Sequence, residues 1–132
     1  MRRTSWAVWV AVAILASSLA GLMPEAAWAN HIAQCPGPTG DFDVCFYADI
    51  NWTGAEEVFT GTGLFNLNAA LNDQASSLIN NRAAKDIRVY TGTNGSGSSL
   101  CVDSDRGLPD LSVQGFNNVI SRVRIYTNDT QC

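Results

Sequence analysis

The sequence predicts an all-β sandwich, and three observations carry that prediction. The chain repeats itself, because Tyr47, Gly54, Asn72 and Ser76 recur as Tyr90, Gly97, Asn117 and Ser121 at offsets of 43, 43, 45 and 45 residues. A two-residue insertion accounts for the drift, and such repetition implies two copies of one supersecondary unit that bury their apolar faces against each other. Short apolar runs alternate with turns rich in Gly, Asn and Ser, the spacing of a sandwich of short strands. Finally, Arg88-Val89-Tyr90 and Arg122-Val123-Arg124-Ile125-Tyr126 alternate polar and apolar residues, the period of a half-buried strand.

Taken in order, residues 1–29 read as a secretory signal peptide. Arg2 and Arg3 supply the positive start, Trp6 to Leu22 an uncharged apolar run, and Ala27-Trp28-Ala29 a small-x-small cleavage site. Residues 30–44 read as an N-terminal loop in which Pro36, Gly37, Pro38 and Gly40 break any regular element. The folded domain is expected over 45–132, its first half at about 45–82 and its second at about 86–132. Cys45 to Ala48, Glu57 to Thr60, Ser77 to Ile79, Ile87 to Thr91, Leu100 to Val102 and Arg122 to Tyr126 read as its strands. Asn68 to Ser77 reads as a loop, since Asn, Asp and Ser bond their own backbone in turns. Asn94 to Ser99 has the composition of a flexible linker, yet in the repeat it aligns with Asn51-Trp52-Thr53-Gly54 and is expected to be a folded hairpin corner.

Cleavage after Ala29 leaves 103 residues with 6 basic and 11 acidic side chains, a net charge of −5. That balance, with no run of Lys or Arg, argues against nucleic acid or an anionic membrane as partner. A chain of this size has a real core but gains from staples. Cys35, Cys45, Cys101 and Cys132 all lie in the exported part, which favours disulfides. Four cysteines permit three pairings; Cys35 with Cys45 and Cys101 with Cys132 is the favoured one, and the others stay open. No two cysteines have zinc-ligand spacing, and the single histidine, His31, lies in the N-terminal loop.

Tyr47, Trp52 and Gly54 form the pattern aromatic, four residues, aromatic, one residue, glycine. Asn72-Asp73-Gln74-Ala75-Ser76-Ser77 then follows as two Asn/Asp, two variable residues, Ser/Thr and Ser. Both patterns resemble the signatures of the βγ-crystallin superfamily, which implies a sandwich of two Greek-key motifs. The second half departs at two places: Gly95 stands where the second aromatic belongs, and Arg122 replaces the final Ser of Asn117-Asn118-Val119-Ile120-Ser121. The whole precursor, with its leader, Cys-Pro-Gly opening, Cys-Phe-Tyr first strand and Asn-Trp-Thr-Gly corner, resembles the secreted bacterial (streptomycete-type) metalloproteinase inhibitor family.

The resemblance implies a secreted, extracellular peptidase inhibitor that acts on extracellular metalloproteases through a disulfide-braced, substrate-like loop, with an extracellular protease as partner. Its reactive bond falls on Cys101-Val102, although a buried strand is the plainer account of those two residues. The alternative is a calcium-binding or structural extracellular βγ-crystallin domain without inhibitory activity. The resemblance places one calcium site at the Gln74 carbonyl, Ser76 and Asn118, and the other at the Val119 carbonyl, Ser121 and Asp73. One carboxylate across both sites implies weak affinity, ~10⁻⁴ M or weaker. No organic cofactor and a monomer are expected. Enzyme activity is not expected: cysteines in disulfides offer no thiolate, one histidine at the chain's loose end is a poor base, and the acid pairs Asp41/Asp43, Glu56/Glu57 and Asp103/Asp105 read as solvated turns. Trp52 reads as a packing residue, and the sequons at Asn51, Asn94 and Asn128 as turn residues.

Overall fold

Val44 and Phe46 on one strand, and Ile87 and Val89 on another, are separated by residues of the opposite facing, and this alternation sets up two stacked sheets. The computed structural model describes Cys35 and residues 43–132. The expected signal peptide and cleavage site, His31 and the expected loop at Pro36–Gly40 therefore lie outside the described residues. Among the described residues the strands are β1 (Val44–Asp49), β2 (Thr53–Phe59), β3 (Gly63–Asn66), β4 (Ser77–Asn80), β5 (Ile87–Tyr90), β6 (Ser99–Val102), β7 (Arg106–Leu108) and β8 (Arg122–Ile125). One 3₁₀ turn, Leu111–Gln114, precedes β8.

The strands form two antiparallel four-stranded sheets, ordered β2-β1-β4-β7 and β3-β8-β5-β6. Adding four to each label of the first order turns it into the reverse of the second, with β3 and β7 exchanged between sheets. Each Greek key thus lends its third strand to the other key's sheet, and neither half can complete a sheet alone. This is the βγ-crystallin-like arrangement. Register follows the repeat: Tyr47 pairs with Ser77 across β1 and β4, as Tyr90 pairs with Arg122 across β5 and β8.

The core lies between the sheets, with Phe46, Leu71, Leu78, Ile87, Leu111, Ile120 and Val123 fully buried. Removing such side chains from water contributes about 1.5–3 kcal/mol each. Phe59 meets Phe46 edge to face, with ring centroids 5.8 Å apart, the geometry that aromatic quadrupoles favour. A second, smaller cluster sits on the outer side of the first sheet, where Cys35, Cys45, Tyr47 and Ile79 pack with Trp52.

All six expected strands exist. Only β2 differs substantially, beginning at Thr53, because its first half is exposed polar edge strand and shows no apolar alternation. The two strands without a sequence signal are β3 and β7, the pair that crosses between sheets. They are four and three residues long and find partners set by the closure of the whole domain; Gly63 of β3, for instance, pairs with Ile125.

Candidate functional site

The two Asn/Asp loops meet across the pseudo-twofold. Asn68 starts the first by accepting from the backbone N–H groups of Ala70 at 2.8 Å and Leu71 at 3.2 Å. Asp110 starts the second by accepting from Ser112 N at 2.9 Å, and Gly115 in the left-handed region ends that turn. Asp73 and Asn118 then take positive φ of 56° and 55°, a conformation that short polar side chains tolerate best. Their backbones lock the halves together, with Asp73 N donating to Ile120 O at 3.0 Å and Asn118 N to Ala75 O at 2.9 Å.

Side chains repeat the exchange. The Ser76 hydroxyl donates to Asn118 Oδ1 and the Ser121 hydroxyl to Asp73 Oδ1, each at 3.1 Å. The structure therefore brings together the cross-repeat pairs expected at both sites. Asp73, Gln74 and Asn118 are exposed, Val119 is exposed at its side chain, and Ser76 and Ser121 are buried. Hydroxyl, amide and carboxylate oxygens thus converge at the sandwich end, the donor set that a hard cation takes. Asn72 and Asn117, the first residues of the two motifs, are not among the expected ligands. Their Oδ1 atoms, at equivalent places in the two loops, are buried without a hydrogen-bond partner. An orphaned buried acceptor carries a cost of roughly 1–3 kcal/mol, which a cation-bound water or the cation itself would relieve. The donor set fits calcium.

At the hairpin corners Gly54 and Gly97 have φ of 82° and 80°. A Cβ on Gly54 would lie 2.5 Å from Asp49 Oδ2, and one on Gly97 would collide with Thr91 Oγ1, so both positions exclude larger residues. Ser77 fastens the first corner, donating to Asp49 O at 2.6 Å and accepting from Trp52 N at 3.0 Å. Arg122 does the same work in the second corner with a longer arm, its Nη1 donating to Thr93 O at 2.8 Å. The departure from the Ser of the first motif thus retains its tie. The departure at Gly95 does not retain its packing, since nothing lies within 4 Å of where its Cβ would be.

Disulfides join Cys35 to Cys45 and Cys101 to Cys132, with Cα atoms 5.8 Å and 5.6 Å apart. No cysteine is free, so a thiolate nucleophile is excluded. Cys101 and Val102 end β6, an edge strand of the second sheet. Val102 is 2% exposed and pairs with Ile87, so its side chain belongs to the core. Beneath this segment the buried Asn80 amide faces the carbonyls of Lys85, Val102 and Asp103 at 3.0, 3.3 and 2.9 Å. The buried Asp86 carboxylate anchors the C-terminus, accepting from Ser104 N, Gln131 N and Cys132 N at 3.2, 3.1 and 3.0 Å. Asp86, Asp103 and Cys132 are the one group of three metal-type side chains among the described residues, but the sulfur there is bonded to Cys101 and both Asp86 oxygens are taken.

Burial, then the hydrogen bond to Glu56 at 3.0 Å and its charge, hold the Tyr47 phenol protonated far above its ordinary range. Burial and a hydrogen bond to Tyr126 push the Tyr90 phenol up as well, against the opposing pull of Arg88 and Arg124. Hydrogen bonds from Ser112 lower the Asp110 carboxyl.

Two exchanged Greek keys, a pair of crossed Asn/Asp–Ser clamps and two aromatic or glycine corners define a βγ-crystallin-type domain. The chain belongs to Peptidase inhibitor family I36, whose family model matches residues 33–102. Among solved structures it is similar to a domain described under the evolution of the eye lens βγ-crystallin fold, at 21% identity and a TM-score of 0.60 over 70% of this chain and 92% of the other. It is similar to a βγ-crystallin domain from Clostridium beijerinckii at 29% identity and a TM-score of 0.52, covering 64% of this chain and 97% of that one. The Ca²⁺-bound βγ-crystallin domain of Abundant Perithecial Protein from Neurospora crassa matches at 22% identity and a TM-score of 0.57, over 73% and 99%. No curated protein matches. Family and fold are both of non-enzymatic kinds.

Proposed function

We propose that the chain is a secreted inhibitor of extracellular metalloproteases and that its second Greek key makes the contact. The family match carries the inhibitor part of this reading. The fold supplies a rigid segment suited to it, because β6 is an edge strand braced by the Cys101–Cys132 disulfide above and Asn80 below. A segment already held in extended form loses little entropy on entering a cleft, and its free edge can pair with the enzyme as an added strand. The reactive bond is proposed at Cys101-Val102, where the preorganisation is partial: the disulfide holds Cys101 outward, while Val102 must leave the core as the end of β6 lifts from β5, a step that costs affinity. The basic start and apolar run of residues 1–29 support secretion. Purified 30–132 is expected to suppress thermolysin at near-stoichiometric concentration and to leave trypsin and subtilisin active. N-terminal sequencing after long incubation is expected to find a new terminus at Val102. Cleavage elsewhere with inhibition intact would remove the bond assignment, and inactivity against all three enzymes would remove the function.

A second function, calcium binding, is favoured by the orphaned Asn72 and Asn117 oxygens beside the crossed clamps, and by the Ca²⁺-bound state of the Neurospora domain. Gln74 O, Ser76 and Asn118 would hold one ion, and Val119 O, Ser121 and Asp73 the other. Bound calcium would cross-link the two keys electrostatically. Isothermal calorimetry of calcium into 30–132 checks this, and the absence of heat at millimolar calcium would contradict it.

A further inference from the structure

The same alternation that buries Ile87, Val89, Val123 and Ile125 sends Arg88, Tyr90, Arg122 and Arg124 to the outer face of the second sheet. Register places Arg88 directly opposite Arg124, and Tyr90 opposite Arg122. Like charges facing each other across neighbouring strands are destabilising, and none of the three guanidiniums meets a carboxylate among the described residues. Arg88 donates to Gln131 O at 3.0 Å, Arg122 to Thr93 O at 2.8 Å, and Arg124 lies over the Tyr126 ring at 5.2 Å from its centroid. Half of the six basic residues of 30–132 therefore sit unneutralised on one face of an acidic protein.

The pseudo-twofold shows what that face lacks. Arg88 and Arg124 occupy the places that Cys45 and Ile79 hold in the first key, and there Cys35 packs over the sheet and is itself fully buried. The second key's face has no such cover among the described residues; only the tail at Gln131 and Cys132 runs along one side of it. Beyond Arg124 the face continues into a shallow cavity of about 310 Å³ lined by Leu64, Tyr126 and Thr127, with Leu64 47% exposed.

We infer that this face docks an acidic segment of a protein partner, with a carboxylate seated between Arg88 and Arg124 and an adjoining apolar side chain over Leu64 and Tyr126. The inference rests on the inhibitor reading for the partner's identity, which is then the target peptidase, gripped beside its cleft. Guanidiniums suit the task because they take carboxylates through two parallel hydrogen bonds and stack on aromatic rings. Since the rest of the surface is acidic, an acidic partner is repelled elsewhere and oriented here.

The test uses the 30–132 protein and a fluorescent octaglutamate peptide, followed by anisotropy at low ionic strength, with octalysine as the charge control. Octaglutamate binding that weakens with salt, and falls at least about threefold in Arg124→Gln and in Arg88→Gln, supports the site. Arg106→Gln, on an exposed arginine of the other sheet already paired with Asp103, is expected to bind as the parent does. Equal weakening by Arg106→Gln, no binding by the parent, or tighter capture of heparin than of octaglutamate would each overturn the inference. Melting temperatures of the variants separate docking from folding, and Arg124, which makes no hydrogen bond to the fold, serves where Arg88→Gln loosens the tail. In parallel, the thermolysin inhibition constant is measured for parent and Arg124→Gln. Inhibition unchanged in the variant removes the peptidase as partner while leaving inhibition standing; a parent that binds octaglutamate but inhibits nothing upholds the face and removes the inhibitor reading.

Discussion

Breaking the Cys101–Cys132 link tests how the second key is held together. The bond joins residues separated by 31 positions, a span that contains β7, the 3₁₀ turn and β8. By loop-closure entropy, replacing both cysteines with alanine costs about 3.7 kcal/mol. Little packing is lost with it, because Cys101 is half-buried and Cys132 exposed, whereas Cys35 and Cys45 are both fully buried and their removal would open a void. The tail keeps its place in the folded state, since Asp86 still accepts from Gln131 N and Cys132 N and Arg88 still donates to Gln131 O. The loss therefore appears chiefly as freedom gained by the unfolded chain. For a domain of this size each kcal/mol moves the midpoint about 4–8 °C, so Tm of Cys101→Ala/Cys132→Ala should fall by about 15 °C or more. Circular dichroism melts of parent and variant read this directly. A fall below about 5 °C would refute the reasoning and show that hydrogen bonds to Asp86 alone confine the tail.

Three further outcomes follow from the geometry. Calcium at about 10 mM, for a dissociation constant of ~10⁻³ M, should stabilise the protein by about 1.4 kcal/mol per site, and Asp73→Ala, which removes the carboxylate of one of the two sites, should abolish about half of the resulting rise in Tm; an undiminished rise would place the ion elsewhere. Gly97→Val should destabilise by about 2 kcal/mol or more in urea unfolding, through the Thr91 collision and the positive φ, while Gly95→Ala, in open space at φ 80°, should cost less. The Tyr47 phenol is raised in the folded state, so its stabilising effect is complete below the ordinary tyrosine pKa and is lost as pH climbs above it. Tyr47→Phe should therefore flatten the alkaline decline in Tm above about pH 10, and should lower stability at neutral pH by about 0.5–1.5 kcal/mol through the lost bond to Glu56.

Local chemistry was readable where it acts locally. Asn68 and Asp73 shape their own backbone by a side-chain bond or by tolerance of positive φ, so the Asn, Asp and Ser content of residues 68–77 marked the first loop without any knowledge of the fold, whereas the second was found through the repeat and Asp110 gave no signal. Gly54 and Gly97 marked the corners for the same reason. The meeting of Ser76 with Asn118, and of Ser121 with Asp73, spans 42 and 48 residues and came from resemblance to a family, not from any local rule. Strands β3 and β7 stayed invisible because they are short and owe their pairing to the other key. Arg122 illustrates the remaining difficulty. In the sequence it stands only as a departure from the Ser motif, whereas its guanidinium reaches Thr93 and restores the corner over a distance no periodicity encodes.

The central claim is that the second Greek key is the contact surface of a peptidase inhibitor. Amide hydrogen exchange of the 30–132 protein, free and mixed with thermolysin, examines it at residue level. Slowed exchange over Ser99–Val102 and the Gln131–Cys132 tail, with Thr53–Phe59 of the first key unchanged, is the predicted footprint. Protection confined to the first key, or no protection at all at concentrations above those of the inhibition assay, would contradict it.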